Sequence, residues 1–403
     1  MHISVRTLGA SVAVLALLAG CSGSPNSTPP TGPGTTDPTA AGTTAPTGPG
    51  ATEIGIPDAD YTLEALIEAA KKEPPITVVD ATGKIVAMAE NFTAEYGVQA
   101  TGVKMSATEQ EEVLIREARA RNVQTDVFNM SNLPNVTSQF IPEGYAISWL
   151  APDLKEQIPA AFQTPAITSN NPWLWVYNSE VYSSCPIDNW WALTDEKWTG
   201  KVSIPDPMLR NETMFWFNQI EENADDQMAA AYQEYFGEAL PSDATSAMAE
   251  WMKRFAQNKP NLQKSDSDVG PVVGAPGQTE PFMGFVSAAI FGDAEEDGFF
   301  LGRCDGLKPW LGQLTPRVAV IAAGTDSPNA AKLFARYMMT PEGMAPQMAD
   351  GKMSTNSTAV MPADEPSGIF EVQDQLFVNN SATSPNDVAR LQDWQDLWTV
   401  SSR

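Results

Sequence analysis

Apolar and polar residues alternate along residues 60–130, and the period of this alternation switches repeatedly between that of a helix and that of a strand. Leu63, Leu66 and Ala70 recur at helical spacing, and this pattern ends at two lysines that precede two prolines. The following pattern predicts a strand at 76–80, a helix at about 84–96 and a strand ending near Met105. A capping box of Thr108 and Glu111 then predicts a helix that continues through Arg121, and a strand follows at 125–129. Because strands that alternate with helices in this way pair in parallel, the pattern predicts an α/β fold.

The alternation continues through the second half of the chain. It predicts strands at 172–178, 201–206, 282–290 and 317–323, and helices that start near Asn211 and span about 225–237, 244–257 and 329–339. Thr340 and Pro341 are typical of a helix cap and a first helical position, so a further helix starts there. From residue 54 onward the pattern covers roughly 350 residues, which exceeds what one hydrophobic core usually holds. We therefore expect two lobes.

The N-terminal residues form an apolar run that differs from the rest of the chain. Residues 8–19 are apolar or small, follow Arg6, and end at Leu-Ala-Gly before Cys21. The run is too short to span a bilayer and is typical of a secretory signal, here residues 1–20. A cysteine at this position resembles the bacterial lipobox, in which the cysteine is acylated and becomes the mature N-terminus. Two or three acyl chains anchor a protein stably, so we expect lipid anchoring at the outer face of the cell membrane. The alternative is an ordinary secretory signal that happens to precede a cysteine.

Residues 21–53 consist almost entirely of Ser, Thr, Pro, Gly and Ala. Such a segment has too little apolar surface to offset the entropy of ordering, so we expect a disordered tether.

Composition narrows the possible functions. The formal charge is −26, with 50 acidic and 24 basic residues, which argues against nucleic acid or an anionic lipid surface as a partner. The single histidine, His2, lies in the predicted signal. The mature chain therefore lacks the residue needed for a Ser-His-Asp triad, a Cys-His pair or a histidine zinc site.

The cysteines are the next constraint. With Cys21 acylated, Cys185 and Cys304 remain as an even pair in an oxidising compartment, which predicts a disulfide between them. Two free thiols are the alternative.

Polar residues follow two of the predicted strands. Thr82 and Gly83 come after the first strand, and Ser131 and Asn132 come after the third. Ligands of parallel sheets bind beyond the carboxyl ends of the strands, so these residues are candidates for binding.

Three segments resemble a known family. Residues 176–178 (VYN) with 191–195 (WALTD) and 198–207 (WTGKVSIPDP), then Gly284 and Phe285, and finally 326–334 (DSPNAAKLF) with 340–343 (TPEG) are similar to the extracellular solute-binding proteins of bacterial ABC importers. The resemblance is to the branch that binds ferric ion, thiamine, polyamines and phosphonates, with the type II periplasmic-binding-protein fold. It implies two doubly wound α/β lobes joined by a hinge that close over a small solute and present it to a permease.

The resemblance also implies where the lobes divide. We expect lobe 1 at residues 54–176 with part of about 283–330 returning to it, and lobe 2 at residues 177–282. The C-terminal helices within about 330–403 are expected to pack across both lobes. We expect a monomer that needs no cofactor.

The class of solute stays open. Iron binders of this branch use adjacent tyrosines, and no Tyr-Tyr pair occurs in the chain, so iron is disfavoured. An organic anion or phosphonate would suit helix N-termini and the charge of Lys84. An organic cation would suit aromatic faces beside the carboxylate of Asp80, Asp206 or Glu212. The candidate ligand-binding residues are Thr82, Gly83, Lys84, Ser131, Asn132, Trp175, Tyr177, Asp206, Asn211, Glu212, Thr213, Phe285 and Ser287. Trp173, Phe215, Trp216 and Phe217 lie in the same segments, although aromatic runs usually belong to a core and these helix starts can be plain caps.

Two other functions compete with the importer receptor. A lipoprotein that senses solute and reports to a membrane signalling partner would share the fold. A carboxylate-dependent extracellular hydrolase would need two acidic residues about 5–10 Å apart, and the sequence shows no distinctive pair. We therefore expect a binding protein rather than an enzyme, with no catalytic residue and no resident metal.

Overall fold

The structure is a computed structural model that describes residues 54–403. The predicted signal, lipobox and tether lie outside these residues. The described strands all join one mixed sheet, and in chain order they are β1 (Ile76–Asp80), β2 (Ala100–Lys104), β3 (Val127–Met130), β4 (Ala146–Ile147), β5 (Ile167–Asn178), β6 (Val202–Pro205), β7 (Asn261–Gln263), β8 (Met283–Ser287), β9 (Leu301–Arg303), β10 (Gly312–Ala322), β11 (Met353–Ser354) and β12 (Leu376–Val378).

Helices cover the sheet and connect its strands. The described helices are α1 (Leu63–Ala70), α2 (Lys84–Tyr96), α3 (Ala107–Ala120), α4 (Leu133–Asn135), α5 (Asn211–Phe236), α6 (Ala247–Gln257), α7 (Asp266–Gly274), α8 (Ile290–Asp297), α9 (Pro328–Tyr337), α10 (Pro341–Met348) and α11 (Ser384–Ser401). None of the helices among residues 54–403 combines the length and apolar character needed to cross a membrane.

The start of α3 corrects one sequence prediction. The capping box uses Ser106 and Glu109, not Thr108 and Glu111: the Ser106 hydroxyl accepts from the Glu109 N–H, and the Glu109 carboxylate accepts from the Ser106 N–H. The sequence offers the same Ser/Thr-x-x-Glu spacing at both places. The earlier one is used because β2 ends at Lys104, which leaves Ser106 as the first residue able to cap the helix.

Two long strands hold the sheet together. Its strand order is β2-β1-β3-β10-β5-β8-β6-β7. Parallel pairing holds within β2-β1-β3 and within β8-β6-β7, whereas β10 pairs antiparallel with both β3 and β5, and β5 pairs antiparallel with β8. The parallel sheets predicted from the alternating pattern are therefore the two ends, and β5 and β10 join them.

Apolar side chains pack at both ends of this sheet. Beside β1–β3, side chains of α1, α2 and α9 such as Leu66, Phe92 and Phe334 are fully buried. Beside β6–β8, Trp190 and Trp251 belong to a larger cluster with α5 and α6. We call these two regions lobe 1 and lobe 2. The division of the chain at residues 176 and 282 stays a prediction.

The C-terminal helices differ in the lobe that they contact. Helix α9 packs on α1 and α10 packs on α2, both in lobe 1. Helix α11 contacts α5 and α6 of lobe 2 and also α4 of lobe 1. Within about 330–403, α11 is therefore the helix that touches both lobes.

A disulfide joins Cys185 to Cys304, with an S–S distance of 2.06 Å, which confirms the predicted pairing. The two cysteines are 119 residues apart in the sequence. Closing a loop of this length removes conformational entropy from the unfolded chain, worth about 5 kcal/mol in the chain-entropy model.

Candidate functional site

A cavity of about 470 Å³ lies where the two long strands cross between the lobes. Its floor comes from alternate residues of β5 and β10, since residues two apart on a strand point to the same face. Trp173 pairs with Gln313 and Asn171 pairs with Thr315 in the antiparallel register. Trp175 and Arg317 extend the floor in opposite directions, toward lobe 2 and lobe 1 respectively.

Both lobes supply walls to the cavity. The lobe 1 wall comes from the end of β2, the loops after β1, β2 and β3, and the start of α3, namely Ala81, Lys104, Ser106, Ala107, Glu109 and Ser131. The lobe 2 wall comes from the end of β6, the start of α5, α6 and β8, namely Ile204, Pro205, Arg210, Glu212, Thr213, Trp216, Phe217, Trp251, Phe255 and Phe285. The carboxyl ends of strands in both lobes therefore open toward one cavity.

The lobe 2 side of the cavity is aromatic. The rings of Trp216 and Phe285 stack with centroids 4.8 Å apart and an angle of 3° between their planes. Trp251 and Phe255 form a second stacked pair at 4.7 Å. All four side chains are buried, so the cavity extends into the aromatic core of lobe 2.

A buried ion pair forms the lobe 1 end. Nη1 of Arg317 lies 3.4 Å from Oδ1 of Asp80, at the end of β1. Asp80 is fully buried and its Oδ2 also accepts from Nδ2 of Asn129 at 2.6 Å and from Nε2 of Gln347 at 2.9 Å. Two side-chain amides thus bond to Oδ2, while Oδ1 faces the arginine and also accepts from the Thr82 N–H at 3.2 Å. These partners fix Arg317 at the cavity.

Arg210 brings a second guanidinium to the cavity, from the lobe 2 side. Its Cζ lies 4.9 Å from the ring centroid of Trp173, a cation–π contact, and its Nη1 is 3.8 Å from Oδ1 of Asp266. Asp266 in turn accepts from the Ser287 hydroxyl at 2.6 Å. Ser287, a predicted ligand residue, therefore supports the carboxylate behind Arg210 and does not line the cavity.

One hydrogen bond crosses from lobe to lobe at the cavity. The Ser131 hydroxyl donates to Oε1 of Glu212 at 3.3 Å. Nearby, burial raises the pKa of Glu111 and the charge of Glu212 adds to the rise, while hydrogen bonds from Asn132 and Asn135 oppose it. Asn132, another predicted ligand residue, is thus bound to Glu111.

Several lining residues carry a buried polar atom with no hydrogen-bond partner among the described residues. The residues involved are at least nine-tenths buried, and the atoms are Oδ1 of Asn171, Nε1 of Trp175, Nε1 of Trp216, Oε1 of Gln313 and Nε of Arg317. Buried polar atoms in proteins are nearly always bonded. Five such atoms therefore belong to residues that line one cavity.

The predicted ligand residues divide into two groups. Ser131, Trp175, Glu212, Thr213 and Phe285 line the cavity. Thr82 and Gly83 form the turn after Ala81 that leads into α2, and Ala81 is the residue that reaches the cavity.

The remaining predicted residues have other partners. Lys84 pairs with Asp350 at 3.3 Å, and the ring of Tyr177 packs edge-on against Tyr182 at 6.5 Å. Asp206 accepts from the Met208 N–H at 2.9 Å, and Asn211 accepts from Gln395 at 3.4 Å. These side chains stabilise local turns and packing.

Sequence reasoning missed the polar part of the floor and two basic residues of the walls. Gln313, Thr315 and Arg317 alternate with Gly312, Leu314 and Pro316, and this period of two is the signal that would have revealed a strand face. Lys104 and Arg210 gave no such signal, because Lys104 is the last residue of β2 and Arg210 lies in the short connection before α5.

The described residues offer no evident metal site. Within residues 54–403, no group of three or more His, Cys, Asp or Glu side chains is arranged to hold a metal ion. The cavity lining contains no tyrosine, the residue type that would ligate ferric ion in this fold's iron binders.

Two α/β lobes joined by long strands, with a cavity between them, form the fold expected of a type II periplasmic binding protein. Residues 87–375 match the family model described as bacterial extracellular solute-binding protein, and the chain belongs to this family. No curated protein sequence matches the chain.

Solved structures of solute-binding proteins share the fold. The iron-bound HitA of Pseudomonas aeruginosa matches with a TM-score of 0.58 and 14% identity, covering 82% of this chain and 99% of that one. AfuA of Actinobacillus pleuropneumoniae, with fructose-6-phosphate bound, matches with a TM-score of 0.59 and 18% identity, covering 81% of this chain and 98% of that one. The substrate-binding protein of an ABC transporter from Agrobacterium tumefaciens matches with a TM-score of 0.60 and 15% identity, covering 84% of this chain and 97% of that one. The family and these neighbours are binding proteins, in agreement with the expectation that this chain is not an enzyme.

Proposed function

We propose that the protein captures a small organic solute in the cavity between its lobes and delivers it to an ABC-type permease. The observation that carries the proposal is the cavity itself, which takes side chains from both lobes and includes five residues with a buried polar atom that has no partner within residues 54–403. A solute that bonds to those atoms would be held by lobe 1 and lobe 2 at once.

Contact with both lobes explains how binding could drive closure. A solute shifts a two-state protein only by its difference in affinity for the two states. Arg317 and Ser131 lie on the lobe 1 side and Arg210 and Trp216 on the lobe 2 side, so these groups reach one solute together only when the lobes are close. The Ser131–Glu212 hydrogen bond would stabilise the same arrangement.

The size of the cavity favours an organic solute over a bare metal ion. A volume of about 470 Å³ falls in the range of sites for small molecules. Among solved neighbours, HitA is described with iron and AfuA with fructose-6-phosphate, so the fold serves solutes of both kinds. The lining here supports the second kind, since it is rich in aromatic rings and hydrogen-bonding side chains.

We further propose that acyl chains on Cys21 hold the protein at the outer face of the cell membrane. The support is the lipobox pattern in the sequence, with residues 21–53 placed between the anchor and the folded part. Incubating cells with labelled palmitate tests this directly: wild type should incorporate the label and partition into detergent, and Cys21→Ser should do neither. Incorporation by the serine variant would contradict the proposal.

Solute binding can be tested with the chain from residue 21 onward that carries Cys21→Ser, which keeps it soluble. A thermal-shift screen would use phosphonates, organic acids, polyamines, thiamine and ferric citrate, followed by X-ray scattering with any compound that stabilises the protein. We expect at least one compound to raise the melting temperature and to lower the radius of gyration. A screen in which no compound does either would contradict the receptor function. Co-purification with a permease would then separate a transport receptor from a sensor.

A further inference from the structure

The deep part of the cavity has the chemistry of a slot for a flat ring. Its walls are the stacked pairs Trp216–Phe285 and Trp251–Phe255, with Trp175 at 4.9 Å from the Phe285 ring. Aromatic rings prefer offset or edge-on contacts with other rings. A planar solute group would therefore extend the ring packing that already surrounds the cavity.

The orphaned atoms in this slot indicate that the ring carries heteroatoms. Trp175 and Trp216 are 1% and 2% exposed, and neither indole N–H has a partner among the described residues. An indole N–H can only donate. A plain hydrocarbon ring would leave both donors buried and unbonded, whereas a ring with oxygen or nitrogen acceptors would satisfy them.

The charge balance of the lining runs against that of the whole protein. The chain has 24 basic and 50 acidic residues, yet the lining contains Lys104, Arg210 and Arg317 against Glu109 and Glu212. Basic side chains are therefore a larger share of the charged residues in the lining than in the whole chain, and the carboxylates of Asp80 and Asp266 lie beside Arg317 and Arg210 from outside the lining.

The two acidic residues of the lining accept hydrogen bonds from serines, whereas Lys104 and Arg317 keep donors that have no partner among residues 54–403. Glu109 accepts from the backbone and hydroxyl of Ser106, and Glu212 accepts from Ser131. Lys104 has no carboxylate within 4.0 Å among residues 54–403, and Nε of Arg317 has no hydrogen-bond partner there. The cationic donors left for a ligand lie at the lobe 1 end, since Lys104 is the register partner of Asp80, to which Arg317 is paired.

From these observations we infer that the solute is an aromatic anion: a planar ring with hydrogen-bond acceptors that enters the slot between α5, α6 and β8, joined to an anionic group that binds Lys104, Arg210 and Arg317. The inference rests on the proposed receptor function and specifies its substrate class. In this arrangement lobe 2 binds the ring, and two of the three cations lie on lobe 1. The anionic group contacts both lobes and therefore favours closure.

Three matched probes separate the ring from the charge. Isothermal titration of the soluble Cys21→Ser chain would use 4-nitrophenyl phosphate, inorganic phosphate and (4-nitrobenzyl)trimethylammonium. We expect 4-nitrophenyl phosphate to bind at least about tenfold more tightly than the other two, because it alone uses both ends of the cavity. Equal or tighter binding of inorganic phosphate overturns the role of the ring, and equal or tighter binding of the cation overturns the sign of the charge.

Variants locate the binding within the cavity. Trp216→Phe keeps a ring and removes the N–H, and should weaken 4-nitrophenyl phosphate about three- to tenfold. Trp198→Phe is the matched control, since Trp198 is also buried and its N–H has no partner in the described part of the chain, but it lies outside the cavity. Lys104→Gln should weaken the phosphate ester to a similar extent and leave the cation unaffected, with the exposed Lys155→Gln as its control. Unchanged binding in both Trp216→Phe and Lys104→Gln overturns the inference.

Failure of the inference can be told apart from failure of the receptor function. If none of the three probes binds while a polyamine or ferric citrate stabilises the protein and closes the lobes, the aromatic anion is wrong and the receptor function stands. If no compound closes the lobes, the receptor function itself falls.

Discussion

Replacing Asp80 with asparagine should destabilise the protein and release Arg317 from its position at the cavity. The Asp80 carboxylate accepts from Asn129 and Gln347 and faces Arg317 at 3.4 Å, which ties together β1, β3, β10 and α10. The side chain of Asp80 is 0% exposed and that of Arg317 is 10% exposed. Asparagine would keep the shape but leave a nearly buried guanidinium without a counter-charge.

The expected magnitude follows from this burial. Removing one partner of a buried ion pair costs about 3–5 kcal/mol, because the remaining charge stays desolvated. A folded part of about 350 residues unfolds with an entropy near 0.7 kcal/mol per degree, so this loss corresponds to a fall of roughly 4–7 °C in melting temperature. Arg317→Gln should cost less, since Asn129 and Gln347 still solvate the carboxylate.

A double-mutant cycle measures the coupling between the two charges. The free energy of unfolding would be measured in urea for the wild type, Asp80→Asn, Arg317→Gln and the double variant. The double variant should lose at least about 1 kcal/mol less than the sum of the losses of the two single variants. An Asp80→Asn variant that loses under 1 kcal/mol, or strictly additive effects, would refute the claim that this pair fixes the polar end of the cavity.

Three further predictions concern other parts of the fold. The double serine variant of Cys185 and Cys304 should lose up to about 5 kcal/mol of unfolding free energy, measured in urea, because the unfolded chain regains the loop entropy; an unchanged midpoint would contradict this. Burial raises the pKa of Asp387 from 3.8 to about 7 despite hydrogen bonds from Asn218 and Gln219. The folded protein therefore holds a proton that the unfolded chain has lost, so stability should fall as pH rises from about 4 to 7, by roughly 4 kcal/mol at most. Asp387→Asn should flatten that part of the melting-temperature profile, and a profile identical to wild type would contradict the assignment. Ser131→Ala removes the hydrogen bond to Glu212 across the cavity. It should enlarge the radius of gyration of the protein without solute while costing no more than about 1 kcal/mol of stability; an unchanged radius would show that this bond does not hold the lobes together.

Periodicity predicted the elements whose burial is regular. Helix α2 and strand β1 occupy the predicted residues because their apolar positions repeat cleanly and the connections contain Gly or Pro. Helix α7 was missed because its sequence includes Gly270 and Pro271, which disfavour helices, and its start depends on the Ser265 cap. The predicted strand at 282–290 ends at Ser287, since an unbroken apolar run does not show where β8 stops and α8 begins.

The site was harder to predict than the fold, because its residues meet only through the topology. Asp80 and Arg317 are 237 positions apart and become neighbours when β10 inserts beside β3. Glycine, serine and asparagine after the strands of lobe 1 indicated the right edge of the sheet. Which of these side chains face the cavity depended on local turns, as with Asn132, whose amide binds Glu111 instead.

The most direct test of the account is a crystal structure of the protein with the compound that stabilises it most in the thermal-shift screen. The account predicts one solute between the lobes, in contact with Arg317 on one side and Trp216 on the other, with the lobes closed over it. A solute bound outside the cavity, or bound to one lobe alone without closure, would contradict it.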